Sequence, residues 1–594
     1  MKYKFFLIAS LFSLFLSAQN AQMAYDYFRK GEYEKAASIY KKLFDKNRYN
    51  SYNFKQLVRC YQEMDAYKKA ENLILSQKKR FPNRYELEVE LGANYLKLNQ
   101  NKKADSLFSI ALNTVKNNPK KALTIGKSFQ DHHLLDAALE VYLIGKKALP
   151  KSNFYLYLAQ IYGEKGEIEA MFNAYLNLIE TNKNYYSTVF RYLSKFITND
   201  SENQYNKLLK KQLIIRLQNN PNVAWNKLLS WLYNMQHDYN KALRQEIAIY
   251  KREGISFANL FDLAENAYQA KDLETTYKAL QFIFENAQDY DTKIRAKEKL
   301  LKTDLDSLHT QEDKEILETK FQNVFKEFGK GDLTVPIQVL YADFLAFKKN
   351  NAEAAIAVLK NSEKVALNKR NKASIKIKRA DILVYKGKYN QALVTYTQVQ
   401  QDVRSSDIAQ TARFKIAQTS YFKGDFDWAK TQLKVLKSAT SKLISNDALA
   451  LNLLISDNIV DDTIRTALKK YAKAELLSFQ NKNQQAIDTL EVILKDFKGH
   501  AIEDEALFKQ AEIYKKLGKY EFAENNYQKI ISIAKDGILA DDAVYELGLL
   551  YENKLNDLKK AKEMYEKIIF EYPSSIYLVD ARKRFRKLRG DKVE

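Results

Sequence analysis

Glycine, proline and cysteine are scarce in this chain. Sixteen glycines and six prolines among 594 residues leave room for few tight turns, where an average chain carries about 12% of the two together. β-Sandwiches, β-barrels and Gly-rich nucleotide-binding α/β folds need many more. Collagen-like and Pro/Gly-rich disordered chains are excluded outright. The one cysteine, Cys60, cannot close an internal disulfide and supports no CxxC redox or zinc site. It reads as a small packed residue on a helix. The five histidines form no i, i+4 pair and no HExxH. No Walker loop, GxGxxG or GxSxG is present, and Gly329-Lys-Gly331 stops after two glycines. The paired acids Asp461-Asp462 and Asp541-Asp542 read as solvated caps at helix starts. No catalytic centre, cofactor or metal site is expected.

Hydrophobic residues make up 46% and aromatics 13%, with 40 tyrosines. A chain this long and this apolar buries a large core, as several domains or as one repeat array. Lys and Arg number 96 against 73 Asp and Glu, a net charge of +23. Such an excess suits an acidic partner or an anionic surface, or is simply a Lys-rich helical exterior.

The first residues have the form of an export signal of bacterial type. Met1-Lys-Tyr-Lys4 is basic, residues 5–18 carry no charge, and Ser17-Ala18-Gln19 ends in small residues. Fourteen apolar residues are short for a membrane span. Cleavage is expected near Ala18, and no cysteine stands there to take a lipid anchor. The expected address is the periplasm, with outer-membrane association open.

The rest of the chain repeats. In 31–40 a Gly precedes a small residue, Ala36, by five positions, and an aromatic, Tyr40, follows four later. The pattern recurs at Asn99/Ala104/Phe108, His133/Ala138/Tyr142, Gly387/Ala392/Tyr396, Gly424/Ala429/Leu433, Asn481/Ala486/Leu490 and Gly518/Ala523/Tyr527. Upstream of the turns lie Ala24/Tyr27, Gly92/Tyr95, Ala511/Tyr514 and Gly548/Tyr551. Two helices cross closely where both carry a small residue, and a Gly in a left-handed conformation ends the first. This pattern resembles the tetratricopeptide repeat, with small residues at positions 8 and 20 and aromatics at 11 and 24. The resemblance implies an all-α, right-handed superhelical solenoid of antiparallel helix pairs, about 14 repeats in two arrays.

Repeats start near 17, 51, 85, 119 and 152, at a spacing of 33 or 34. A degenerate unit starts near 186 and others near 223 and 257. A second set starts near 335, 373, 410, 467, 504 and 541, spaced mostly by 37 or 38, with an extra helical segment around 446–466. Three added residues are about one turn to share between two helices. The expected organisation is a signal at 1–18, an N-terminal array at 19–290, a helical joint at 291–334, a C-terminal array at 335–573, and a capping helix with a basic tail at 574–594. All six prolines fall at or near repeat junctions, and eight glycines at positions 8 or 15. The tyrosines at positions 11 and 24 read as packing residues whose hydroxyls reach solvent at helix ends.

In the family the first helix of each repeat lines the concave groove. Position 9 and its surroundings give Arg59, Lys97 and Lys127 early, and Asp343, Asp381, Glu475 and Glu512 late. The expected inner surface is basic at its start and acidic towards its end. Lys55, Arg59 and Lys127 match the family's carboxylate clamp only loosely, so tail binding by that device is not implied. The segments 364–379 and 582–592 hold seven basic residues each and are candidate contacts for an anionic surface or simply solvated faces. The resulting reading is a non-enzymatic envelope scaffold holding protein or peptide partners. A helical-superhelix hydrolase acting on cell-wall polymer would need a compact catalytic domain, and 291–334 and 446–466 are too short for one. An RNA-binding helical repeat of about 35 residues is disfavoured by the export signal, and no nucleic acid is expected.

Overall fold

The computed structural model describes residues 21–150, 152–254, 256–404, 406–436, 442–459 and 465–591. The segment read as an export signal, Asp461-Asp462 and Lys592 lie outside them. The described residues are helical, without a strand. They fall into two compact units, Met1–Leu232 and Tyr233–Glu594.

In the first unit, pairs such as Ser51–Glu63 with Tyr67–Arg80 and Glu86–Lys97 with Asn101–Asn117 pack side by side and onto the next pair. In the second, Lys369–Tyr385 with Tyr389–Asp402 and Ile502–Lys516 with Tyr520–Ile533 do the same. The fold is all-α, built of antiparallel helix pairs of the tetratricopeptide type.

Most hairpins turn on one left-handed residue. The first unit uses Gly31, Asp65, Asn99, His133 and Gly166; the second uses His237, Lys271, Asn350, Gly387, Gly424, Asn481, Gly518 and Asn556. Most of these sit at repeat position 15. At Asn99 its own N–H bonds to the Leu96 carbonyl (3.0 Å) and the Gln100 N–H reaches back to Tyr95 (2.9 Å), which satisfies the open carbonyls of the first helix. The degenerate unit near 186 lacks such a residue, and its helices Tyr186–Leu193 and Gln204–Asn219 are joined by a longer connection.

Asn350 and Asn556 come one position late. Both first helices end in a π turn, Phe344–Lys348 and Tyr551–Leu555, which takes up one extra residue without breaking the helix.

The small residue at position 8 has a direct cause. A Cβ on Gly126 would stand 2.3 Å from Tyr142, and one on Gly92 would stand 2.4 Å from Phe108. The aromatic of the second helix lies flat against the bare backbone of the first.

The longer spacing is not shared between two helices. Most second helices have 14 residues in both kinds of repeat, as in Tyr67–Arg80 and Tyr389–Asp402, with Asn101–Asn117 longer at 17. First helices lengthen, from 13 residues in Ser51–Glu63 to 17 in Lys369–Tyr385 and Asp407–Lys423. Because the turn stays at position 15, the added turn lies at the N-terminal end. There Asn368 and Ser406 cap it by accepting from the backbone N–H of Asn371 (2.7 Å) and Ala409 (3.1 Å).

Residues 291–334 hold the helices Tyr290–Asp306 and Gln311–Phe328, the latter opened by a Thr310/Asp313 capping box. Leu301, Phe321 and Val324 from this pair share a core with Ile337 and Phe344. The extra segment is the helix Lys442–Asp457.

Candidate functional site

The faces of the first helices carry the candidate residues. In the first unit Arg59, Lys97 and Lys127 are all exposed. Arg59 lies over the Phe28 ring, 5.1 Å from its centre. Lys127 pairs with Asp131 at 3.0 Å. Lys55 also meets Asp131 (2.9 Å) and lies 3.3 Å from Glu90. Glu90 sits at the centre of this network, accepting from Ser128 Oγ and meeting His132 Nε2, both at 2.8 Å. Burial alone would raise its carboxyl, but His132, Lys55 and Ser128 outweigh burial and hold it down at about 2. Position 9 alone did not reveal this acid, which stands at position 6 of its repeat.

In the second unit the late acids are brought together in pairs by lysines. Lys378 bridges Asp343 and Asp381, and Lys415 lies 3.5 Å from Asp381. Lys509 lies 3.8 Å from Glu475 and 3.1 Å from Glu512. Each lysine is three positions before position 9, one helical turn away and facing the preceding repeat. Burial works against the Lys509 charge, yet Glu512 and Glu475 more than offset it and raise its pKa. The acids at position 9 are thus largely neutralised from within. The spacing Lys-x-x-Asp or Lys-x-x-Glu, visible at 378–381 and 509–512, was the available signal.

The tyrosine hydroxyls do not generally run out to solvent. Tyr396 donates to Asp381 (2.5 Å), Tyr421 to Glu475 (2.7 Å), Tyr551 to Glu524 and Tyr565 to Glu552 (both 2.6 Å). A buried phenol beside a carboxylate gives both groups a partner that water would otherwise supply. Asp542 likewise accepts from Tyr577 (2.7 Å) and is not a freely solvated cap.

The first helices of the second unit also meet at their C-terminal ends. Phe347 lies 5.1 Å from Tyr385 and 5.8 Å from Phe479, and Phe422 lies 6.4 Å from Phe479. Gln480 Nε2 donates to the Tyr385 carbonyl (2.8 Å). Four repeats therefore share one aromatic cluster, a contact between residues too far apart in sequence for any local pattern to announce.

Below this cluster a cavity of about 880 Å³ opens between Asp407–Lys423, Lys442–Asp457, Thr466–Phe479 and Ile502–Lys516. Phe414, Phe422, Tyr471 and Phe508 form apolar walls. Among the described residues, Asp447, Asp457, Glu475, Asp504 and Glu505 supply carboxylates, against a single lysine, Lys509. Burial, with Asp504 beside it, pushes the Glu505 carboxyl up to about 9, and burial raises Glu475 as well. Of the seven candidates only Glu475 lines this cavity.

The basic segment 364–379 is divided. Lys376, Lys378 and Arg379 are paired with Asp402, Asp343 and Glu363, while Lys369, Arg370 and Lys372 are exposed. In the tail, Arg584 joins Glu552 (2.7 Å) and Asp580 (2.5 Å). Among the described residues no group of three His, Cys, Asp or Glu could hold a metal, and no helix is long and apolar enough to cross a membrane.

The sequence matches two models of the tetratricopeptide repeat, at residues 504–536 and 542–575. Both stretches coincide with hairpins described above, and they support a protein–protein interaction scaffold. No curated protein matches the chain. Solved structures similar to it include that of Naa15/Naa10 bound to HypK-THB (11% identity, 97% of this chain and 96% of that one, TM-score 0.28). Others are the APC/C hetero-tetramer Cut9-Hcn1 (12% identity, 96% of both chains, TM-score 0.23) and yeast Tom70 (13% identity, 93% and 99%, TM-score 0.26). At these scores the likenesses carry no argument about function.

Proposed function

We propose that the chain is an exported scaffold of the bacterial cell envelope. It binds partner proteins through the faces of its first helices and catalyses no reaction. The observation that carries the binding role is the open cavity among the helices of 407–516, whose walls the described residues leave uncovered. The signal-like residues 1–18 support the address. Arg59, Lys97 and Lys127 in one unit, and Asp343, Asp381, Glu475 and Glu512 in the other, are the proposed partner contacts. An array of helix pairs offers long faces at little entropic cost, because the repeats are already ordered before the partner arrives.

In-cell crosslinking from these faces, followed by affinity purification, tests the role. Recovery of a defined set of envelope proteins is expected. Recovery of none above control, or a chain retained wholly in the cytoplasm, overturns it.

A further inference from the structure

The cavity of 407–516 has a chemical preference that the scaffold reading alone does not contain. Its rim and floor bring five carboxylates around aromatic walls, and the one cation among the described lining residues, Lys509, is already engaged by Glu475 and Glu512. One polar atom inside it lacks a partner. Oε2 of Glu505 is buried and meets no hydrogen-bond donor among the described residues, while Oε1 accepts from Asn458 at 3.1 Å. Tyr471, only 6% exposed, lines the cavity beside it. A buried acceptor without a donor is costly and is satisfied by a donor brought from outside. Carboxylates and aromatic faces together select a planar cation with several N–H groups.

We infer that this cavity receives an arginine side chain, flanked by apolar residues, on a peptide segment of a partner protein. The inference rests on the scaffold reading and names the class of partner for this one site. The guanidinium supplies the donors that Glu505 lacks, and the flanking residues cover Phe414, Phe422 and Phe508. Glu505 is faced by Asn458 and the rim acids Asp447 and Asp457 from one side, by Tyr471 and Glu475 from the next helix, by Tyr421 beyond it, and by Asp504 and Lys509 on its own helix. With five acids and one occupied lysine among the described lining residues, the burial of Glu505 beside Asp504 keeps a proton on the free site at neutral pH. Binding a cation therefore releases that proton, and affinity rises with pH.

The test pans a random heptapeptide display library against the full chain, against Glu505→Gln, against Asp447→Asn/Asp457→Asn, and against Asp343→Asn outside the cavity. Enrichment of Arg next to Leu, Ile or aromatic residues is expected for the unaltered chain and for Asp343→Asn. The synthetic consensus peptide should bind about tenfold more weakly to Glu505→Gln. Its affinity should rise from pH 6 to 9 in the unaltered chain and stay flat in that variant. Circular dichroism checks that the helices persist, and the rim pair Asp447/Asp457 gives an exposed alternative if Glu505→Gln misfolds. Enrichment of neutral or acidic peptides, of none, or of basic peptides indifferent to both cavity variants overturns the inference. Envelope partners recovered by crosslinking in those same cases would leave the scaffold reading standing.

Discussion

Glu90 shows how a charged side chain comes to be buried in a helical array. Its carboxylate faces Lys55, Ser128 and His132 from both neighbouring repeats, so removing it strands a cation and a ring nitrogen together. Glu90→Ala should lower the local stability of the first unit by about 3 kcal/mol, read as faster hydrogen exchange in Glu86–Lys97 and Ala122–Asp131. The pH dependence has a definite sign. The folded pKa lies near 2 and the unfolded value near 4.5, so the stabilisation is complete above about 4.5 and is lost as pH falls through about 2. Glu90→Gln should flatten that acid limb. Glu505 has the opposite sign, with a folded value near 9. Its neighbourhood loses stability as pH rises from about 4.5 to 9, and Glu505→Gln should remove the slope in a pH series of hydrogen exchange in Ile502–Lys516. Glu90 escaped the sequence pattern for one reason. A repeat register says which residues face the next repeat, but the partner that neutralises a charge there comes from another repeat.

At the scale of the element, the helix pair was the most legible feature. Small residues at positions 8 and 20 and a left-handed residue at position 15 follow from backbone contact, which leaves little choice of side chain. Gly126 and Tyr142 are the example, and Gly126→Ala should cost about 2 kcal/mol by overpacking. The double variant Gly126→Ala/Tyr142→Leu should cost less than the sum of the two single changes in thermal or denaturant unfolding. Less legible was the lengthening of the first helix alone, because spacing counts residues without saying which helix holds them. The caps Asn368 and Ser406 were the local sign. Asn368→Ala should lower the stability of that helix start by about 1 kcal/mol, confined to the amides of 369–373. The turns at Asp65, His237 and Lys271 also lacked a signal, since any of these side chains tolerates the left-handed conformation at modest cost.

At the scale of the whole chain, stability is a sum over neighbouring repeats. The helix Leu578–Arg589 packs on the preceding hairpin through Ala581 in the core and through Arg584, which ties Glu552 and Asp580. Arg584→Ala should speed hydrogen exchange in 540–589 and leave the Lys369–Tyr385 hairpin unchanged. A uniform loss across the chain would show instead that the array unfolds as one cooperative block. The aromatic cluster of Phe347, Tyr385, Phe422 and Phe479 lies beyond any reading of adjacent repeats. It makes four hairpins depend on one another, and the cavity beneath it inherits that rigidity.

The fixed position of the left-handed residue has a practical consequence. Between neighbouring residues of this kind in a regular stretch, as from Gly387 to Gly424, the chain runs through one second helix and one first helix. Cutting at Gly387 and Gly424 removes 37 residues and should bring two compatible helix ends into register. The backbone joint is ready-made, and what shortening costs is the set of side chains that cross it, Phe422 of the aromatic cluster and Tyr421 on Glu475 among them.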